Sequence, residues 1–533
     1  MLKEYGKGMV IRMDGRNLFG EKYLVSAREM KEYDSNTIAH FGMPSGVLME
    51  RAALAVAEEI EARFPAGKKV LVAAGSGNNG GDGIAAGRIL RQRGYEVDFW
   101  LIGDREKCSR ETETQLRIIE KYGYPLQGKM EDKEYDIIID ALFGIGLSRN
   151  LEGRFAQAVR KINQKGKFVC AVDIPSGIHT DSGEIMGEAV KAQLTVTFAF
   201  EKLGHIFYPG CLYSGEVVCR EIGITPESFL GRRPKVYAYC GTAGHRMPAR
   251  KADGNKGTFG KVLVIAGSIG MGGACVLCAE SVCRVGAGMV KIVAPEENRV
   301  IVQTSIPEAL LSAYRTEGEE KGEILKKLHK ILEKDMEWAD CILIGPGIGK
   351  SGIAYAMLEQ VLAQQEKPLL IDADGLNLLA ENPGLQKYLE DNKEKMPDTR
   401  RQIILTPHMA EFARLYGCTV QEAKRDILQK PKELADRYGC TVVCKDARTA
   451  VACSGREEIY LNVSGNDGMA AAGMGDVLAG VIGGLMAQGM EAETAAVLGV
   501  YVHGMAGDKA AEKKGRYALM AGDVVDCLEI ARK

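Results

Sequence analysis

The sequence predicts an α/β protein of two domains, each built on a mostly parallel, doubly wound sheet. Three observations predict it. Short β-branched runs alternate with helix-periodic segments along most of the chain. Many of the 64 glycines fall directly behind those runs, where a chain must turn sharply or let a ligand approach its backbone. The alternation lapses once and then restarts, and 533 residues are too many for one ordinary core of roughly 150 residues.

In order along the chain, Ser26-Ala-Arg-Glu29 has the pattern of a capping box opening a helix, and Val47 to Ile60 is apolar with a helical period. Candidate strands follow at Lys69–Ala74, Glu96–Leu101, Asp136–Asp140, Phe168–Asp173 and Leu194–Phe198, with a helical pattern at Gly83 to Gln92. The periodicity lapses at Gly231-Arg-Arg-Pro-Lys235 and again through Gly241 to Gly257. The boundary is therefore placed near Pro234, giving domains 1–235 and 236–533. Strand signals resume at Lys261–Ala266, Met289–Ala294, Cys341–Ile344, Pro368–Asp372, Gln402–Thr406 and Thr441–Lys445. No fixed period of 20 to 50 residues recurs, so a repeat array is not expected. The charged stretches Glu317 to Glu323 and Leu389 to Arg401 read as solvated surface.

Composition narrows the function classes. Hydrophobic residues at 46% and charged residues at 26% describe a globular chain. With 69 Lys and Arg against 71 Asp and Glu there is no basic field to hold nucleic acid or an anionic membrane. Most of the 14 Cys sit in apolar runs such as Val-Val-Cys444, the pattern of buried thiols in a reducing cytoplasm. The start, Met1-Leu-Lys-Glu-Tyr-Gly-Lys7, has no apolar signal core, and Ala470 to Met490 is interrupted by Asp476 and glycines, so neither secretion nor a membrane span is expected.

In the first domain, Gly75-Ser-Gly-Asn-Asn-Gly-Gly-Asp-Gly83 follows a strand, and its backbone N–H groups could cradle phosphate. Gly75, Gly77 and Gly80 have dinucleotide-motif spacing, but Asp98 lies inside the next strand instead of ending it, and two Asn followed by Gly-Gly-Asp are more polar than that turn requires. A plain glycine turn with left-handed Asn would explain less of the segment. Asp140-Ala-Leu-Phe-Gly-Ile-Gly146 and Asp173-Ile-Pro-Ser-Gly177 end two further strands in acids before glycine turns. At the carboxyl ends of parallel strands, Asn79, Asp140, Asp173 and Ser176 can converge, and oxygen donors without Cys or His favour a group I or II cation over zinc. Each acid alone would serve equally well as a strand-end or helix-cap residue.

Leu48-Met-Glu-Arg-Ala52, Gly77-Asn-Asn-Gly-Gly-Asp-Gly83, Asp140-Ala-Leu-Phe-Gly144 and Val172-Asp-Ile-Pro-Ser-Gly177 together resemble the NAD(P)H-hydrate epimerase domain of the bifunctional NAD(P)H-hydrate repair enzymes, over roughly residues 20 to 230. The resemblance implies a Rossmann-like fold with K⁺ held by Asn79, Asp140 and Ser176. It implies a substrate site lined by Asn78, Asn79, Gly80, Gly81 and Asp82 and by Gly144, Ile145, Gly146, Leu147, Ser148, Arg149 and Asn150, with Asp173 catalytic at the damaged nicotinamide. Ser76 and Ile145 stand where the family usually has Pro and Thr.

In the second domain, Gly267-Ser-Ile-Gly-Met-Gly-Gly-Ala274 and Gly345-Pro-Gly-Ile-Gly349 follow strands. Gly349-Lys350-Ser351 tempts a Walker A reading, but the motif's first glycine would fall on Ile344. His408 lies just past a strand in Thr406-Pro-His-Met-Ala-Glu411, where a lone His is commonly structural. The sharpest signal is Asn466-Asp-Gly-Met-Ala-Ala-Ala-Gly-Met-Gly-Asp476, which brings backbone N–H groups and a helix N-terminus toward an anion with Asp476 beside a substrate hydroxyl; an N-cap role for Asp476 leaves the glycine bracket unexplained. This string, with Lys256-Gly-Thr-Phe-Gly260, Gly345–Gly349 and Thr406-Pro-His408, resembles the ADP- or ATP-dependent NAD(P)H-hydrate dehydratases, of ribokinase-like fold, over about 240 to 530. It implies Ala274, Gly349, His408 and Asp476 at the hydrated nucleotide. It implies Lys445, Asp446, Ala447, Arg448, Thr449 and Gly475 at the adenine nucleotide, with Asp476 catalytic. Asn255 replaces a usual His, and Met409-Ala410 a usual Pro-Gly.

The expected function is repair of hydrated nicotinamide coenzymes, epimerisation in the first domain and nucleotide-dependent dehydration in the second. K⁺, ADP or ATP, and Mg²⁺ are the expected small partners, in a cytoplasmic homo-oligomer. The alternatives are a ribokinase-like small-molecule kinase with a regulatory nucleotide-binding first domain, and a non-enzymatic binding module, against which Asp140 and Asp173 argue.

Overall fold

The computed structural model describes residues 20–241, 246–318, 320–364, 366–395 and 401–528. The expected absence of an N-terminal signal core, and parts of the connection and of both charged stretches (242–245, 319 and 396–400), lie outside the described residues. Two compact units meet in sequence between Ala238 and Tyr239.

The first unit opens with β1 (Glu21–Val25), α1 (Ala27–Ala39) and α2 (Ser45–Glu61), then β2 (Lys69–Ala74), α3 (Asn78–Gln92), β3 (Glu96–Leu101), α4 (Arg110–Lys121), β4 (Leu126–Gln127), β5 (Ile137–Ala141), α5 (Gly153–Lys165), β6 (Val169–Val172), β7 (Leu194–Phe198), β8 (Glu201–Lys202) and β9 (Glu216–Arg220). Ser26 and Glu29 form the capping box of α1 as the spacing predicts. Seven strands pair in the order β4-β3-β2-β5-β6-β7-β9, every neighbour parallel, while β1 pairs with β8. The central strands β5 and β6 are wholly buried, as strands covered on both faces must be, and so read as continuous apolar runs. The edge strands β4 and β9 are half-exposed and short of that signal, which is why the sequence did not announce them.

One boundary is corrected. Helix α3 begins at Asn78, not Gly83, so Asn78 to Asp82 form its first turn and neither Asn is left-handed. Close packing forces this. A Cβ on Gly80 would stand 1.9 Å from the Gly75 carbonyl oxygen, and one on Gly83 2.3 Å from the Ala141 Cβ. The glycines let the helix N-terminus sit directly against the ends of β2 and β5.

After β10 (Val236–Tyr239) come β11 (Lys261–Ile265), α6 (Gly272–Arg284), β12 (Met289–Pro295), α7 (Arg299–Ser305), β13 (Leu310–Tyr314), α8 (Lys321–Trp338), β14 (Cys341–Ile344), α9 (Gly352–Ala363), β15 (Leu369–Ile371), α10 (Asp374–Glu381), α11 (Pro383–Lys393), β16 (Ile403–Leu405), α12 (Met409–Tyr416), α13 (Val420–Arg425), α14 (Gln429–Tyr438), β17 (Thr441–Cys444), β18 (Ala450–Cys453), β19 (Ile459–Leu461), α15 (Met474–Ala487), α16 (Ala492–Lys514) and α17 (Ala521–Cys527). Strands β13-β12-β11-β14-β15-β16-β17 are parallel neighbours, and β18 and β19 extend them antiparallel. Helix α15 is buried along nearly its whole length, which is why Val477 to Ala487 reads as unbroken apolar sequence. No helix among the described residues is long and apolar enough to cross a membrane.

Candidate active sites

The first site is a cavity of about 530 Å³ at the carboxyl ends of β2, β5 and β6. Its wall combines Asn78, Asn79 and Asp82 from the first turn of α3, Leu142 to Leu147 after β5, and Asp173 after β6. Asp173 is held in a left-handed conformation, φ 69°, which turns the chain out of the sheet and carries its carboxylate to the cavity. That carboxylate is already engaged. The ammonium of Lys202, itself buried, pairs with Asp173 Oδ1 and also donates to Thr197 Oγ1 (2.8 Å) and the Phe198 carbonyl (3.1 Å). The Thr197 hydroxyl donates to the same Asp173 oxygen at 3.1 Å.

Asp140 is fully buried beneath the cavity floor, accepting from the Ser176 amide (2.8 Å), the Ser176 hydroxyl (2.6 Å) and the Leu142 amide (3.3 Å). Burial pushes its carboxyl up to about 6 against the pull of those hydrogen bonds. The Ser176 hydroxyl also accepts from the Phe143 amide (2.9 Å), and Asn79 Oδ1 would lie 3.0 Å from a Cβ on Gly144, so Asn79, Ser176 and the Leu142–Gly144 turn are neighbours. Among the described residues, no hydrogen-bond partner meets the buried Asn79 Nδ2. Asp173 lines the same cavity as Asn79, with its Oδ1 taken up by Lys202. Of the expected substrate contacts, Gly144, Ile145, Gly146 and Leu147 line the cavity. Ser148, Arg149 and Asn150 are exposed beyond it, and Gly80 and Gly81 are buried as packing glycines.

Sequence reading missed Lys202, Asp34 and Glu111, all of which line the cavity. Burial first, then the charges of Asp173 and Asp34, hold the Asp82 carboxyl well above the usual range; Asp34 is raised by burial, Asp173 and Glu111. Lys202 carries no motif signal, since only the fold brings the segment after β7 back to Asp173.

The second site forms where β14, β15 and β16 end opposite the N-terminus of α15. Gly473 caps that helix with φ 86°, a conformation that suits glycine, and the first amides of the helix lack intrahelical partners. Asp476 lies in the first turn and not at the cap position. Burial and the charge of Asp372 push its carboxyl up to about 7, opposed by Lys445. Gly349 donates its amide to Asp374 Oδ2 at 2.9 Å, and Ala274 packs near Gly347, whose added Cβ would come within 3.1 Å of it. His408 caps α12, its Nδ1 accepting from the Ala410 amide (3.0 Å), while burial, Lys445 and Arg414 hold its imidazole below the ordinary value. Within the expected nucleotide run, Lys445 turns inward to Asp372 at 2.7 Å; Asp446 and Ala447 are exposed, and Arg448 and Thr449 are half-buried. The adenine-nucleotide role expected of Lys445 therefore has to begin from an ammonium already paired beside Asp476.

Asp372 was read only as a strand end. The signal that singled out Asp140 and Asp173, an acid ending a strand before a glycine turn, was present in Asp372-Ala-Asp-Gly375 as well. Among the described residues no cluster of three or more His, Cys, Asp and Glu side chains forms a metal site.

Two α/β units, each placing carboxylates and glycine-freed backbone at the carboxyl ends of parallel strands, define a two-site enzyme of the nucleotide-handling α/β class. Residues 45–204 match the family described as YjeF-related protein N-terminus, and residues 262–529 match the family described as NAD(P)H-hydrate dehydratase. Bifunctional NAD(P)H-hydrate repair enzymes from Moorella thermoacetica and Coxiella burnetii are 34% and 35% identical, each over 95% of this chain and over 96% and 99% of their own lengths. Among solved structures, the ADP/ATP-dependent NAD(P)H-hydrate dehydratase of Bacillus subtilis, co-crystallised with ATP and Mg²⁺, is 27% identical over 54% of this chain and 96% of its own, with a TM-score of 0.45. The chain belongs to the family of bifunctional NAD(P)H-hydrate repair enzymes.

Proposed function

We propose that the first unit interconverts the two epimers of hydrated NADH and NADPH, and that the second removes water from one epimer at the expense of ADP or ATP. The observation that carries this reading is a pair of unlike carboxylates: Asp173, ion-paired to Lys202 in a cavity, and Asp476, held near neutrality at a helix N-terminus.

Hydration of the dihydronicotinamide leaves a hydroxyl on a carbon bonded to the ring nitrogen. The nitrogen lone pair assists departure of that hydroxyl, and water returns to either face. Asp173 handles the proton and, with Asp34, Asp82 and Glu111, surrounds the ring cation with carboxyl groups. Asn79, Asp140 and Ser176 fit a K⁺ site: among the described residues no protein counter-cation meets the buried Asp140 carboxylate, and Asn79 offers a side-chain oxygen among neutral donors. Bound K⁺ would supply positive charge that firms the turns lining the cavity.

In the second unit, Asp476 accepts the substrate hydroxyl's proton as a phosphoryl group arrives, and the α15 amides and Lys445 face its negative charge. Phosphate then leaves with the adjacent C5 proton, restoring the coenzyme. Mg²⁺ would accompany the nucleotide and neutralise its phosphates. The family setting and the buried thiols such as Cys341 and Cys444 support a cytoplasmic enzyme, and we propose a homo-oligomer.

The test incubates the protein with each epimer of hydrated NADH. Without nucleotide the epimers should interconvert; with ADP or ATP the dihydronicotinamide absorbance should return. Accumulation of a phosphorylated small molecule without that absorbance would establish a kinase instead.

A further inference from the structure

We propose that Asp372 is a positioning residue of the second site: with Thr406 it locks the Lys445 ammonium beside Gly475, so that this cation faces the phosphoryl group as Asp476 takes the proton. The proposal rests on reading that site as the nucleotide-dependent dehydratase. In the step concerned, the bond between the terminal phosphorus and the nucleotide's bridging oxygen breaks, its electron pair leaving with the nucleotide. A bond forms from phosphorus to the substrate oxygen, whose proton passes to Asp476.

The geometry is closed around one carboxylate oxygen. Asp372 Oδ1 accepts from Lys445 Nζ at 2.7 Å and from the Thr406 hydroxyl at 2.7 Å, and Asp372 is 1% exposed. Its backbone is fixed by the hydrogen bond its amide donates to the Ile344 carbonyl (3.1 Å) and by Gly345, on which a Cβ would meet the Asp372 carbonyl oxygen at 1.8 Å. Lys445 is anchored too, its amide donating to the Pro407 carbonyl at 2.8 Å. A Cβ on Gly475 would lie 3.4 Å from Lys445 Nζ and 3.9 Å from Asp372 Oδ2, which places the pair at the first turn of α15, one residue from Asp476.

Lysine needs such a partner. Its ammonium is a point charge on a stem with many rotamers, and Thr406 fixes the carboxylate that fixes the stem. The charged and titratable groups around it come from several elements: Glu411 on α12, His408 at the start of α12, His503 on α16, Cys278 on α6 and Asp476 on α15, which Asp374 on α10 also faces. Asp372 is the carboxylate that bonds Lys445 directly.

The experiment measures kcat and KM for ADP and ATP, with hydrated NADH as substrate, in the full chain and in D372N, T406V, K445M and the double variant D372N/K445M. D372N should lower kcat about 30-fold with KM changed less than threefold, and T406V about fivefold, while epimerisation by the same polypeptides stays at the parental rate. On the K445M background, with kcat read above pH 8 where Asp476 is ionised with or without Asp372, D372N should change kcat by less than twofold, because its remaining effect passes through the ammonium. Parental kcat in D372N, or D372N and K445M losses that multiply, would overturn the role. If D372N does not fold, T406V with and without K445M makes the same comparison. A parental chain that fails to restore absorbance sinks the dehydratase assignment itself, whereas restoration by the parent and D372N alike sinks only the role of Asp372.

Discussion

The two sites share an architecture and differ in how they treat their carboxylates. Both place an acid behind a parallel strand or in a first helical turn, beside glycines whose missing side chains let backbone approach backbone. In the first, Lys202 is committed to Asp173 in a cavity that gathers further acids. In the second, Lys445 is committed to Asp372, and Asp476 is left with a raised carboxyl and no direct cation among the described residues. The lesson is that the choice of ion-pair partner, more than the fold, separates the two carboxylates, which in the proposed reactions means one site that surrounds a ring cation and one that accepts a proton near neutrality.

The comparison breaks most sharply on Asp476. Asp476→Asn should lower nucleotide-dependent dehydration about 10³-fold, the middle of the range for a lost general base, and leave epimerisation intact. Absorbance recovery and epimer exchange, followed on the same sample, check both halves. Asp173→Asn should do the converse, slowing epimer exchange about 10²-fold while the second unit still dehydrates its proper epimer.

A smaller effect comes from pH. Because burial and Asp372 lift Asp476 to about 7, its base form predominates above that value and is lost below it, so dehydration under saturating substrate should fall about fivefold from pH 7 to pH 6. A flat profile across that interval would remove Asp476 from the base role. Glycine substitutions sharpen the contrast further. Gly80→Ala, whose Cβ would meet the Gly75 carbonyl oxygen at 1.9 Å, should destabilise the first unit by about 1–3 kcal/mol in denaturant unfolding. Gly475→Ala meets nothing closer than 3.4 Å and should unfold as the parent does, its cost appearing in the second unit's kcat alone.

Much of this was legible in sequence because the relevant physics is local. A parallel strand buried on both faces must be a continuous apolar run, a turn that passes close to another backbone must carry glycine, and so Lys69–Ala74, Asp140, Asp173 and the Gly473–Asp476 bracket stood out. Edge strands such as Glu216–Arg220 did not, because half-buried strands need no such run. The helical state of Asn78 to Asp82 also escaped notice, since two glycines there weaken helix propensity and only packing against Gly75 decides the matter.

The sequence by itself determined two α/β units, their glycine turns and the acids that end their strands. Only the tertiary structure decided which cation each acid meets. Lys202 reaches Asp173 from 29 residues away and Lys445 reaches Asp372 from 73, and charge pairing across such separations depends on strand order and burial, which no local pattern encodes.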